Sequence, residues 1–146
     1  MRTMKNHFFS VLILLLIILS GCSTISQFDQ HAYIQTTSAK VDALRLMNLA
    51  TENYSLHVVE VNFVTTQIDK AYEYERNRPK NELTLKLWDK LRDTSGHLFG
   101  GFIQRWNKDE KLSPVFIRES KKQVSEAFDI IAQLESKKIK PKQVHQ

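Results

Sequence analysis

A single cysteine, four glycines and three prolines are spread over 146 residues. The lone cysteine excludes an intramolecular disulfide framework and any Cys-x-x-Cys-His site for haem attachment. So little Gly and Pro removes the punctuation that many short elements need, and long regular elements are expected. Net charge is also scarce. The formal charge is +5, but Arg2 and Lys5 lie in the first 21 residues; 21 basic side chains less those two leave 19 against 16 acidic ones. That balance is too mild, and too little clustered, for a nucleic-acid partner. There is no internal repeat and no nucleophile-elbow motif, and Gly100-Gly101 lacks the Lys and Ser/Thr of a phosphate loop.

What is present is ordinary for a folded domain: 42% hydrophobic and 25% charged residues, too apolar for disorder. The exception is the start. Arg2 and Lys5 lead into Phe8–Leu19, apolar except for Ser10. A membrane-spanning helix needs roughly 20 such residues, so this run fits the apolar region of a secretory signal instead. It ends in Leu19-Ser20-Gly21-Cys22. These four residues resemble the lipobox of bacterial lipoproteins at every position of that motif. The resemblance covers only the first 22 residues. It implies cleavage between Gly21 and Cys22 and a diacylglyceryl thioether on Cys22, whose thiolate accepts the lipid. It also implies attachment to a membrane of the cell envelope. Ser23, rather than Asp, after the lipidated position resembles the class sorted to the outer membrane, facing the periplasm, where the host has two membranes. Two or three acyl chains, each methylene contributing about 0.8 kcal/mol, give a durable anchor.

The chain therefore divides into a cleaved leader over 1–21, a lipidated tether over 22–27, a folded domain over 28–138 and a basic tail over 139–146. From Ser23 to Gln27 the tether reaches at most about 17 Å, so the domain is expected close to the bilayer. Helical spacing carries the rest. Ala39, Ala43, Leu46 and Ala50, widened by Val41, Leu44 and Met47, predict a helix over Phe28–Thr51. Ser55 is the expected cap of a second helix ending near Pro79. Its start alternates as a strand would, through Val59, Val61 and Phe63, yet Val61, Val64, Ile68 and Ala71 make one helical stripe, and helix is the reading adopted. Asn81 is expected to cap a third helix to about Asp93, buried through Leu83, Leu87, Trp88 and Leu91. A short helix is expected over Phe99–Trp106, followed by a polar turn at Asn107–Lys111. Ser113-Pro114 is a strong start for the last helix, which runs to about Lys137 with Ile117, Val124, Ala127, Phe128, Ile131 and Leu134 inward. The expected fold is all-α, an antiparallel helical bundle of three long helices plus a short helical insertion. Whether residues 79–112 make a fourth traverse or cover one end stays open at this level.

Chemistry is sparse. His57 and Glu60 share a helix face, but no histidine belongs to a recognisable ligand pair, and no metal site or cofactor is expected. Glu73/Glu75 and Asp109/Glu110 read as solvated acidic pairs. Two segments suit binding. Phe99, Phe102, Arg105 and Trp106, among glycines, form either a plug for the bundle's end or an exposed partner patch. Lys137, Lys138, Lys140 and Lys142 form either a solubilising end or a contact for an anionic surface. The expectation is a non-enzymatic interaction or scaffold module, held to a membrane through Cys22 and serving a protein partner in the envelope. Two other readings stay open: a bundle binding a small ligand or metal, and a toxin-immunity or phage-exclusion lipoprotein.

Overall fold

A computed structural model describes residues 26–136, which form five α-helices and two single 3-10 turns, with no strand among the described residues. The helices are α1 (Gln30–Asn48), α2 (Val58–Arg76), α3 (Glu82–Arg92), α4 (Phe99–Asp109) and α5 (Pro114–Glu135). The 3-10 turns, Leu49–Thr51 and Tyr54–Leu56, join α1 to α2. Gly21, Cys22, Lys137, Lys138, Lys140 and Lys142 lie outside the described residues.

The helix starts are set by local chemistry. Asp29 caps α1 by accepting from the His31 and Ala32 amides at 2.8 and 3.1 Å, which satisfies donors that the first turn leaves orphaned. Ser113 caps α5 by accepting from the Phe116 amide, with Pro114 in the first helical position. Two caps differ from expectation. Ser55 falls inside a 3-10 turn, and α2 begins at Val58 behind His57. Asn81 occupies the cap position of α3 but makes no capping bond, because its side chain is engaged elsewhere.

α1 packs against α2 and α5, and α3 packs against α2 and α5 in turn. The expected stripes supply most of the core, although Val41 of the first faces solvent and Leu83 of α3 is only half-buried. Ala39, Ala43, Leu46, Met47 and Ala50 of the first segment are buried, as are Val61, Val64, Ile68 and Ala71 of α2 and Ile117, Val124, Phe128, Ile131 and Leu134 of α5. The strand-like alternation at the start of α2 breaks down. Val61 is buried, but Val59 and Phe63 face solvent, as a 3.6-residue period demands. β-Branched content is a weak preference, and the stripe that reaches α1 overrides it.

Residues 79–112 divide between the two arrangements left open above. α3 lies alongside α2 and α5: Arg92 pairs with Asp69 of α2 at 2.8 Å, and Trp88 meets Phe128 of α5 edge-to-face at 5.9 Å. α4, longer than expected, closes the end beside the 3-10 turns. There the Tyr54 amide donates to the Glu110 carbonyl at 2.9 Å, and the Leu112 amide to the Ala50 carbonyl at 2.8 Å. Trp106 is fully buried in this joint. Its indole N–H donates to the Glu52 carbonyl at 3.0 Å, and its ring packs against Tyr54 and His57.

Two glycines permit the fold-back. A Cβ on Gly100 would lie 2.1 Å from the Arg92 carbonyl oxygen, and one on Gly101 would lie 2.0 Å from that of Gly96. The first turn of α4 therefore rests directly on the backbone that leaves α3. Gly100→Ala is expected to cost about 1–3 kcal/mol through overpacking, read as a lowered midpoint of chemical denaturation. Gly96→Ala, whose added carbon would meet the Asp93 carbonyl oxygen at 3.3 Å, is the milder comparison. Equal midpoints for the two variants would contradict the close approach.

Candidate functional site

The densest polar grouping sits where the chain enters the fold. Arg78, in the turn between α2 and α3, points inward with its side chain 10% exposed. Its Nη1 donates to Glu75 of α2 and to Glu135 at the end of α5, each at 2.7 Å. Its Nη2 donates to the Gln27 carbonyl at 2.6 Å, and its Nε lies 3.9 Å from Asp29. Asn81 donates to both the carbonyl and the carboxylate of Glu75, and the Ser26 hydroxyl donates to Asn81 at 3.2 Å. Tyr74 donates to Asp29 at 2.6 Å. Ser26 and Gln27 are thus parts of the fold rather than free tether.

Three carboxylates face one guanidinium, and the electrostatics follow. Burial pushes the Glu135 carboxyl up to about 7, with the charge of Glu75 adding to the effect and Arg78 opposing it. Glu75 is raised too, first by burial, against the pull of Arg78. Its Oε1 is buried with no hydrogen-bond partner among the described residues, which further disfavours the charged form. Asp29 is lowered, chiefly by the Tyr74 hydroxyl. For Arg78 burial works against the charge, but the Glu135 hydrogen bond and the neighbouring carboxylates win and raise it.

Sequence reading missed this cluster. The sequence suggests a solvated pair in Glu73 and Glu75; Glu73 is exposed, but Glu75 is buried. Its signal was positional. Glu75 is the next step of the stripe Val61, Val64, Ile68, Ala71, and Glu135 is the next step of Val124, Phe128, Ile131. A carboxylate on an inward stripe asks for a buried partner.

The aromatic segment takes the first of its two readings, the plug, and not the exposed patch. Phe99, Phe102 and Trp106 belong to the buried core, because α4 turns that face onto the joint with Tyr54 and His57. Arg105 alone is exposed; it pairs with Asp109 at 3.1 Å and lies over the Phe116 ring. His57 does not join Glu60. It meets Glu52 at 3.1 Å. No group of three metal-ligating side chains occurs among the described residues, and no described helix is long and apolar enough to cross a membrane.

The exposed apolar surface lies elsewhere. Leu56, Val59 (79% exposed) and Phe63 (56% exposed) stand out at the α1–α2 end. Beside them runs an open groove of about 480 Å³ between Leu46 and Leu49 of the first segment and Val59, Phe63 and Val64 of α2, rimmed by Asp42, Arg45 and Glu60. A second cleft, of about 500 Å³, lies among α2, α3 and α4 and includes Asp69, Asp89, Arg92 and Asp93. Much of its polarity is already used: Arg92 is bound to Asp69 and covers the Tyr72 ring, and Asp93 accepts from Ser95.

The cluster sets a pH dependence. The Glu135 carboxyl lies near 7 in the fold against an ordinary 4.5, so between those values the folded state holds the extra proton. Stability is therefore expected to rise as pH falls from about 8 to about 5.5. Asp29, held below 3.8, weakens only in stronger acid. Glu135→Gln removes the titrating group and leaves an oxygen for Arg78. Its thermal midpoint should vary less over that window and exceed the wild-type value on the alkaline side. Parallel profiles for the two proteins would refute this.

No protein-family model, curated protein or solved structure matches this chain.

Proposed function

We propose that this protein is a lipid-anchored interaction module of the bacterial cell envelope. In this reading the leader over 1–21 is removed, Cys22 carries the lipid, and the domain faces the periplasm from the outer membrane where the host has one. The domain works as an antiparallel bundle of its three long helices. Pairing of Lys40 with Asp129 at 2.6 Å, and of Asp29 with Tyr74 near the opposite end of α2, supports that arrangement. The activity proposed is non-enzymatic: the bundle holds or regulates a protein partner.

The observation that carries the partner reading is the apolar groove between α1 and α2 with Val59 and Phe63 exposed beside it. An exposed apolar patch with a polar rim marks an interaction site more often than solvated surface. Substituting these two residues is therefore expected to cost affinity and little stability, since neither contributes to the core. Chemical crosslinking and capture from the native host should recover a partner with the wild-type chain and lose it with Val59→Ser/Phe63→Ser, at an unchanged thermal midpoint. Undiminished recovery with the double variant would overturn the assignment. A toxin-immunity or phage-exclusion role would use the same face and differs only in the partner's identity.

The cleft among α2, α3 and α4 favours the second reading, a bundle that binds a small ligand. Thermal stabilisation by a small polar ligand, lost on Asp89→Asn, would decide for it. For the anchor, Cys22→Ala should abolish palmitate incorporation and leave the precursor uncleaved. Continued labelling of that variant would refute lipidation at this residue.

A further inference from the structure

α1 and α2 lie side by side in opposite senses. Asp29, ahead of α1, meets Tyr74 near the end of α2, while Leu46 and Leu49 share the apolar groove with Val59 and Val64 at the other end. Asp29 to Arg45 and Val58 to Tyr74 are equal steps along the chain. With the same rise per residue on both helices, Arg45 is therefore level with Glu60 to within about 3 Å, on opposite rims of the groove. Asp42 lies one turn nearer Asp29 on the α1 rim. Between the rims the surface is apolar: Val59 and Phe63 stand exposed over a floor of Leu46 and Val64. Arg45 and Glu60 are exposed as well, and neither enters an ion pair among the described residues. An apolar strip with a cation on one rim and an anion at the same height on the other is complementary to itself.

We propose that a second copy of this chain occupies the groove, in a two-fold dimer whose axis runs along the helices. The proposal rests on the reading of the groove as a partner site and names that partner. Rotation about such an axis lays α1 of each copy against α2 of the other at the same height. Arg45 of each copy then meets Glu60 of the second, and the symmetry repeats the pairing. Each Phe63 reaches the groove opposite. Aromatic anchors at the centre supply the affinity, and the rim charges select the orientation. An axis across the helices would instead set α1 against α1 and send the two Gln27 ends in opposite directions. With the axis along the helices both Gln27 ends point the same way, as two chains anchored through Cys22 in one bilayer require. Confinement to one surface also raises the concentration at which the copies meet.

Sedimentation equilibrium of the mature chain in a mild detergent reads the dimer as a mass that rises with protein concentration. Arg45→Glu and Glu60→Arg each make both rim contacts repulsive, and each should raise the dissociation constant about tenfold. Arg45→Glu/Glu60→Arg restores opposite charges at both contacts and should return the constant to within a few-fold of wild type. An equimolar mixture of the two single variants should associate equally well. Val59→Ser/Phe63→Ser should weaken the dimer about a hundredfold. All of these side chains are exposed, so the thermal midpoints should match that of the wild type. A chain that stays monomeric at every concentration overturns the dimer. So does one that neither single reversal weakens, or that the double reversal fails to restore. Restoration by Arg45→Glu/Asp42→Arg in its place would set α1 on α1 and overturn the axis. Capture from the native host separates the broader reading. A monomeric chain that recovers a different protein through Val59 and Phe63 keeps the groove as a partner site and loses the second copy. Dimer and capture both undiminished in Val59→Ser/Phe63→Ser overturn the groove itself.

Discussion

One guanidinium joins the beginning, the middle and the end of the described chain. Arg78 holds the Gln27 carbonyl ahead of α1, Glu75 in the last turn of α2 and Glu135 at the end of α5. Such a cluster is not a simple gain in stability, because desolvating Glu75 and Glu135 offsets much of the attraction. It contributes register instead. The stripes on α1, α2 and α5 are apolar and forgiving of a one-turn slip. A shifted helix would leave Glu75 or Glu135 buried without its cation, at a cost larger than most packing errors. Burial, with the charge of Glu75 beside it, favours a proton on Glu135, which is why that carboxyl titrates near neutrality.

Much of this architecture was legible because helical periodicity reports burial directly. The steps through Ala39, Ala43 and Leu46, through Val61, Val64 and Ile68, and through Val124, Phe128 and Ile131 all lie in the core. The Ser113-Pro114 start behaves as its chemistry requires. The misreadings share a cause. Local preference makes Asn81 a cap and Glu75 a solvated acid; what overrides it is Arg78, turned inward three residues after Glu75 and held there by Gln27 and Glu135 from other segments. The aromatic segment after Gly96 was ambiguous for the same reason. Nothing local says that Gly100 and Gly101 let α4 fold back onto the end of α3, and that contact turns Phe99, Phe102 and Trp106 inward. Val59 and Phe63 alternate as a strand would; in a helix their period places them outside.

The two ends of the molecule differ in how they are held. At the Arg78 end, polar groups converge and ionisable side chains are buried. At the other end, Trp106, Tyr54 and His57 pack as rings, tied by backbone hydrogen bonds between residues far apart in sequence. The groove lies beside this aromatic end, on rigid helix faces rather than on a loop, so a partner would meet a preformed surface with little ordering to offset.

The Arg78 clasp has a topological consequence. The described chain begins and ends on opposite edges of one guanidinium, so the path from Gln27 to Glu135 is close to a closed ring. A unit of this kind can be set into a loop of another protein without altering its internal course, since the host chain would depart and resume at nearly the same place. Equally, new ends could be opened elsewhere in the ring, with a short bridge replacing the old ones. Chain order and spatial arrangement are in this sense independent: what must be conserved is the meeting of three segments at Arg78, whichever of them is made first.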